Sequence, residues 1–308
     1  MGASVARALS AAALTLGIAT ASAHAAPAPR EAGCPIFPAG NPLNQEIAHA
    51  PVNPNSAAYV ASIGLSAHLH PDFGTEPSYG IPYTVVGPHQ PKAPIRFDEF
   101  GEESNPGPYP IPANAPIEGA GEAGDRHVLV LQSGSCKLYE LYGAQRNGAG
   151  WEAGSGAVFN LCSNALRPEG WTSADAAGLP IFPLLARYPE VRSGEIDHAL
   201  RVTVPSTQSG YIHPATHYAS ASSDASLPPM GLRLRLKAGY SLAGFDGESL
   251  IILRALKRYG LIVADNGSPW YITGAPNPRW NDANLEQIKR VPGSAFEAVY
   301  SGSIRHQG

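Results

Sequence analysis

The sequence predicts an all-β, mainly antiparallel fold: a jelly-roll-like β-sandwich with a few short helices and Pro-rich wrapping arms. Three observations lead there. Residues 125–132 (DRHVLVLQ) and 136–144 (CKLYELYGA) both show strand alternation around Ser133-Gly134, the pattern of a hairpin. Residues 198–204 alternate so that His198, Leu200, Val202 and Val204 share a buried face. Likewise Leu232, Leu234 and Leu236 alternate with Arg233, Arg235 and Lys237, as in a half-exposed strand. Finally, 33 Gly and 30 Pro among 308 residues divide the chain into short pieces, while 44% hydrophobic content supports one substantial core.

The N-terminus predicts export. Arg7 precedes an apolar run from Ala8 to Ala21, and small residues close it at Ala23-His24-Ala25, so residues 1–25 read as a signal peptide. Residues 26–308 then form one secreted, extracellular domain with an irregular N-terminal arm over 26–78. Cleavage after Ala23 would place His24 first, the metal-chelating arrangement of copper-dependent polysaccharide monooxygenases, but the site after Ala25 is the better match. No run approaches the roughly 20 apolar residues of a membrane span. A net charge of -4 without a block of like charges leaves no footprint for nucleic acid or an anionic membrane.

Three cysteines in an exported chain imply one disulfide and one spare thiol. Cys34 with Cys136 is favoured, because Cys34 opens an arm that otherwise lacks an anchor. Cys136 with Cys162, on neighbouring strands, is the alternative. None has zinc-ligand spacing.

Along the chain, five prolines keep 34–55 irregular, and Ser56 can cap a helix through Ile63 that Gly64 stops. His68 and His70 share a face if extended, yet no third metal ligand is near. Strands are expected at 79–86 and 94–97, a second irregular segment at 98–123, and a strand pair over 150–161. Trp171 precedes a single helical turn at Ser173–Asp175, and the Pro-broken apolar stretch 177–188 crosses the core. A helix at 248–259, stopped by Gly260, feeds a strand at 261–264, a turn at 265–267 and the strand WYITG. Asn281 caps a last helix over 282–289.

Chemistry-bearing residues are few, since only 15% are charged. Glu140, a mid-strand carboxylate among apolar and aromatic neighbours, needs a partner or a function if buried. His198 lies on a core-facing row, and Asp265 ends a strand; these three are the catalytic candidates. Trp171, Asp175, His217 and Trp270 are the candidate substrate-binding residues. Ser173 and Asp175 meet the letter of a Ser-His-Asp triad, without the Gly-x-Ser-x-Gly context of a nucleophile. Pro214 disfavours a helical His213/His217 metal pair. No metal or cofactor is predicted.

The segments CPIFPAGNPLN, GSGAVFNLCSNALRPEGWTSADAAGLPIFP, GEIDHAL, PMGLRLRLKA and LKRYGLIVADNGSPWY together resemble a family of secreted bacterial β-sandwich proteins. The resemblance spans most of the mature chain and implies export and one β-rich domain; it carries over no catalytic residue.

By analogy with the fold alone, a groove of Trp, Tyr, His and carboxylates on a concave sheet suits sugar rings. The expected activity is polysaccharide cleavage, by glycoside hydrolysis or a lyase step, using His/carboxylate acid-base chemistry. A non-catalytic carbohydrate-binding or cell-surface protein is the alternative. A polysaccharide or oligosaccharide partner and a monomer are expected.

Overall fold

The computed structural model describes residues 1–2 and 28–306, in which short strands follow the turn punctuation of the chain. They are β1 (Arg30–Glu31), β2 (Cys34–Pro35), β3 (His70–Asp72), β4 (Tyr83–Val86), β5 (Ile95–Phe97), β6 (Val128–Gln132), β7 (Lys137–Tyr142), β8 (Gln145–Asn147), β9 (Gly150–Ala153), β10 (Ser155–Asn160), β11 (Leu200–Val204), β12 (Arg233–Leu236), β13 (Leu261–Asn266), β14 (Tyr271–Thr273) and β15 (Phe296–Ala298). The α-helices are α1 (Ser56–Ile63), α2 (Tyr188–Ser193), α3 (Gly247–Arg258) and α4 (Asp282–Leu285). The predicted signal peptide, with His24, falls outside the described residues apart from Met1 and Gly2. Among the described residues no helix is long and apolar enough to cross a membrane.

Two sheets dominate. One runs β10-β7-β6-β4 and the other β15-β12-β13-β11-β14-β3, with a three-stranded β5-β9-β8 sheet and a β1-β2 pair beside them. The β6-β7 hairpin forms around Ser133-Gly134 as expected. Most pairings are antiparallel, but β4 with β6, β5 with β9, β11 with β13 and β3 with β14 are parallel. Parallel neighbours need long crossovers, and the Pro-rich and irregular segments supply them. The sheets are therefore mixed, within a fold consistent with an all-β sandwich.

Strand β6 explains the layering. All five of its residues are buried, so it reads as a continuous apolar run. Leu129 and Leu131 enter the main core, with Val202, Leu234, Val263 and the α3 residues Ile252 and Leu256. Val128 and Val130 face a second core with Trp151 and Ala153 of β9. Strands β9 and β10, expected as a pair, instead belong to different sheets. They part at Gly154, where a Cβ would lie 2.8 Å from Tyr142 Cδ1.

Strand β12 departs from the half-exposed reading. Leu234 and Leu236 are buried, and so are Arg233 and Arg235. The N-terminal arm covers them and offers its carbonyls as acceptors. Arg235 Nη1 donates to Ile47 O (2.6 Å), Ala48 O (2.9 Å) and Ala50 O (2.8 Å), and Arg233 Nη1 to Pro42 O (2.6 Å). The arm thus satisfies guanidinium donors that a solvated strand would give to water. Its other anchor is the Cys34–Cys136 disulfide, the favoured pairing, while Cys162 is a free, exposed thiol. Ser56 begins α1 but does not cap it; its Oγ accepts from Ala298 N on β15 (2.8 Å).

Candidate functional site

Loop 171–178, following β10, is built by its own polar groups. Asp175 N donates to Ser173 Oγ (2.9 Å), Ser173 Oγ donates to Leu179 O (2.6 Å), and Ser155 Oγ donates to Ser173 O (2.6 Å). Ser173 is consumed in this lattice and offers no nucleophile. Gly178 has φ +71°, and a Cβ there would collide with Thr216 Oγ1 and Trp171 O. From the other side, His127, immediately before β6, clamps the loop. Its Nε2 faces Ala174 O (2.9 Å) and its Nδ1 faces Glu118 Oε2 (2.6 Å). Both partners are acceptors, so both ring nitrogens carry protons. Burial opposes that charge, but the Glu118 hydrogen bond and charge outweigh it, raising the His127 pKa; Glu118 is lowered in turn.

Arg201 of β11 completes the support. Its Nη2 donates to Asp175 Oδ1 (2.9 Å) and lies 3.8 Å from Asp265 Oδ2, while Nη1 donates to Thr273 Oγ1 (3.0 Å). One guanidinium therefore gathers two carboxylates. Asp175 is fully buried, and its Oδ2 has no hydrogen-bond partner. Burial pushes its carboxyl up to about 6, against the pull of Arg201. Asp265, at the end of β13, is raised by burial in the same way, and its Oδ1 accepts from Asn266 N (2.7 Å).

These groups border a cavity of about 290 Å³, whose strand residues come from the ends of β7 (Tyr142), β10 (Ser155) and β13 (Asp265 and Asn266). Asp175, Asp265, His217, Tyr142, Asp125 and Glu99 line it, with His127 at its wall. His217 donates from Nδ1 to Ala176 O (2.7 Å), which fixes the tautomer and leaves Nε2 as the basic atom of the neutral ring. Tyr142 is half-buried; burial and the charges of Asp125, Glu99 and Asp265 together raise its pKa. A larger cleft of about 460 Å³ is lined by Pro77, Pro82, Pro116, Pro276 and Pro278 and contains no carboxylate or histidine.

Of the seven predicted site residues, Asp175, His217 and Asp265 meet in this cavity. Glu140 and His198 do not share a concavity. Glu140 is fully buried on the main-core face of β7, where its carboxylate accepts from Ile181 N (2.9 and 3.0 Å) and Phe182 N (2.8 Å). It caps the turn beginning at Phe182. His198 lies in a separate buried cluster, with Nε2 3.2 Å from Glu190 and Nδ1 donating to Ala199 O (2.8 Å); Glu190 also pairs with Arg187. Trp270 is a core residue, not a groove residue: fully buried, stacked on Phe296, and donating from Nε1 to Gly64 O (2.8 Å). The Trp171 ring is taken by the Arg167 guanidinium, 5.7 Å from its centroid, and lies outside the cavity lining.

His127, Glu118, Arg201 and Tyr142 escaped the sequence reading. The signal that marked Glu140, a charge set in an apolar strand, applies equally to Arg201 in LRVTV and to His127 before VLVL. The His68/His70 and His213/His217 pairs, which the sequence reading disfavours as metal sites, have separate partners. His70 stacks on Tyr271, His68 bridges to Pro292, and His213 bonds Glu169 (2.7 Å). Among the described residues no group of three or more His, Cys, Asp or Glu is arranged to hold a metal ion.

No family model, no curated protein and no solved structure matches the chain.

Proposed function

We propose that this chain is an exported, carbohydrate-active enzyme that cleaves a glycan by acid-base chemistry in the Asp175/Asp265/His217 cavity. One observation carries the reading: two carboxyls, both held above their ordinary range and organised by one buried arginine, share a small cavity with a histidine of fixed tautomer. Asp265, partly open to the cavity, is the proton donor; desolvation keeps it protonated further toward neutral pH, as general-acid catalysis requires. His217 Nε2 is the proton acceptor. Asp175 and Arg201 are positioning residues that orient Asp265. The Tyr142 ring gives a sugar an apolar face, and a cavity of this size holds about one ring. Export is supported by the leader-like residues 1–25 and by the disulfide.

The test is incubation of the purified protein with a panel of cell-wall and plant glycans, reading released reducing ends and unsaturated products. Asp265→Asn and His217→Ala should each lower kcat/KM by on the order of a hundredfold or more while leaving Tm within a few degrees. Full activity in both variants would remove the cavity from the chemistry. Binding without turnover across the panel would favour the non-catalytic alternative.

A further inference from the structure

The larger cleft, of about 460 Å³, has a chemistry of its own. Its five prolines, with Ala115, Ile117 and Ala120, make most of the wall. Proline has no amide N–H, so such a wall offers a ligand C–H surface and few backbone donors. The polar side chains on the lining are Arg146, Asn277 and Thr75. Thr75 Oγ1 is spent on Asp282, and Asn277 Oδ1 accepts from Arg279 N (3.1 Å) and Nε (3.2 Å), so Asn277 presents its amide donors. Glu118, between Ile117 and Ala120 in sequence, gives its carboxylate to His127 instead. Arg146 is the independent observation. On β8 it stands opposite Trp151 of β9; its guanidinium lies over that ring, 5.3 Å from the centroid, and Nη2 donates to Ala115 O (2.9 Å). Glu152 is one position along β9 and so on the opposite face, where Arg96 and Asn147 hold it. Arg146 is thus fixed in place, yet it takes part in no ion pair among the described residues. It also borders a second groove, of about 340 Å³, with Lys92 and again no carboxylate.

We infer that this cleft is a binding site for a small apolar acid, an aryl carboxylate whose ring lies among the prolines and whose carboxylate meets Arg146. The inference is independent of the Asp175/Asp265/His217 reading. A guanidinium already held by its surroundings loses little freedom on pairing, and its planar fork matches a carboxylate. An aromatic ring suits the wall, because it buries much apolar area with few rotatable bonds. The volume falls in the range of small-molecule sites, roughly 300 to 1,000 Å³. A cationic ligand would meet Arg146 and Lys92 with no carboxylate on either lining to receive it. A sugar acid could reach Arg146 but would leave hydroxyls unpaired against proline C–H surface.

Titration calorimetry with phenylbutyrate, its primary amide, butyrate, phenylbutylamine and galacturonate tests the inference. Phenylbutyrate should bind saturably and at least about tenfold more tightly than each of the others. Arg146→Gln, made at an exposed position, should bring the acid and its amide within about threefold of each other. Pro278→Asp, also at an exposed position, sets a carboxylate on the lining and should weaken the acid by about tenfold while leaving the amide unchanged. The two variants lie on separate segments, so a folding failure in one leaves the other to decide. Equal binding of acid and amide, a match by butyrate, the amine or galacturonate, or no saturable binding at all would each overturn the inference. Acid binding untouched by a folded variant would also overturn it, as adventitious binding elsewhere.

Discussion

Glu140 is the residue whose burial has the clearest thermodynamic consequence. Desolvation raises its carboxyl from 4.5 to about 7, although the Phe182 and Ile181 amides pull the other way. The native chain therefore keeps this proton at pH values where the unfolded chain has lost it. Stability from this group is full below about pH 4.5 and is lost as pH rises through about 7, a change of roughly 3 kcal/mol. Asp175 acts with the same sign between 3.8 and about 6. Glu140→Gln keeps a carbonyl oxygen for the Phe182 amide and cannot titrate. Urea unfolding at several pH values should show native stability falling from pH 5 to 7 more steeply than that of the variant; parallel profiles would mean that Glu140 is ionised throughout. A second residue-scale expectation concerns Gly178→Ala. Its left-handed φ and its contacts with Thr216 and Trp171 should cost on the order of 2 kcal/mol or more and loosen the Asp175 loop, measurable as a lower Tm.

At the scale of elements, the arm and β12 depend on each other. Arg235 donates to three successive regions of arm backbone and pairs with Glu297 on β15, so its guanidinium substitutes for the ladder that prolines deny the arm. Arg235→Met should leave those carbonyls and Glu297 without their donor. The expected loss is on the order of 3 kcal/mol in urea unfolding, with proteolysis appearing first within residues 34–55. An unchanged midpoint would show that water replaces the arginine without cost. This also marks where periodicity stops being informative. Alternation in LRLRL correctly separates leucines from arginines, but it says nothing about what covers the arginine face. The β6-β7 hairpin, α1, α3 and the Asn281-capped helix were legible because turn, cap and period are local signals. The parallel pairings were not, because they depend on segments far apart in sequence. For the same reason Asp175, His217 and Asp265 could each be named from the sequence, whereas Arg201, which gathers the two aspartates, could not. Glu140 and His198 were legible as buried polar groups needing partners, and the structure supplies each with one away from the cavity.

For the molecule as a whole, the Cys34–Cys136 bond ties the arm to the edge of the hairpin that organises both cores, closing a loop across a sequence separation of 102. In the chain-entropy account, a cross-link of that span constrains the unfolded state by about 4 to 5 kcal/mol. The arm's carbonyls cover Arg233 and Arg235, so loosening it also uncovers buried donors in β12. Reduction should therefore weaken the arm, β12 and the adjoining main core together rather than the arm alone. The measurement is a thiol count combined with denaturant unfolding. Unreduced protein should titrate one thiol, Cys162, accessible without denaturant because it is exposed, and reduced, denatured protein should titrate three. The reduced form should unfold at lower denaturant by several kcal/mol, with fluorescence of the core residue Trp270 and near-UV dichroism changing in one transition. If reduction released the arm while the Trp270 signal kept its original midpoint, the arm would be an independent appendage and the coupling through Arg233 and Arg235 would be wrong.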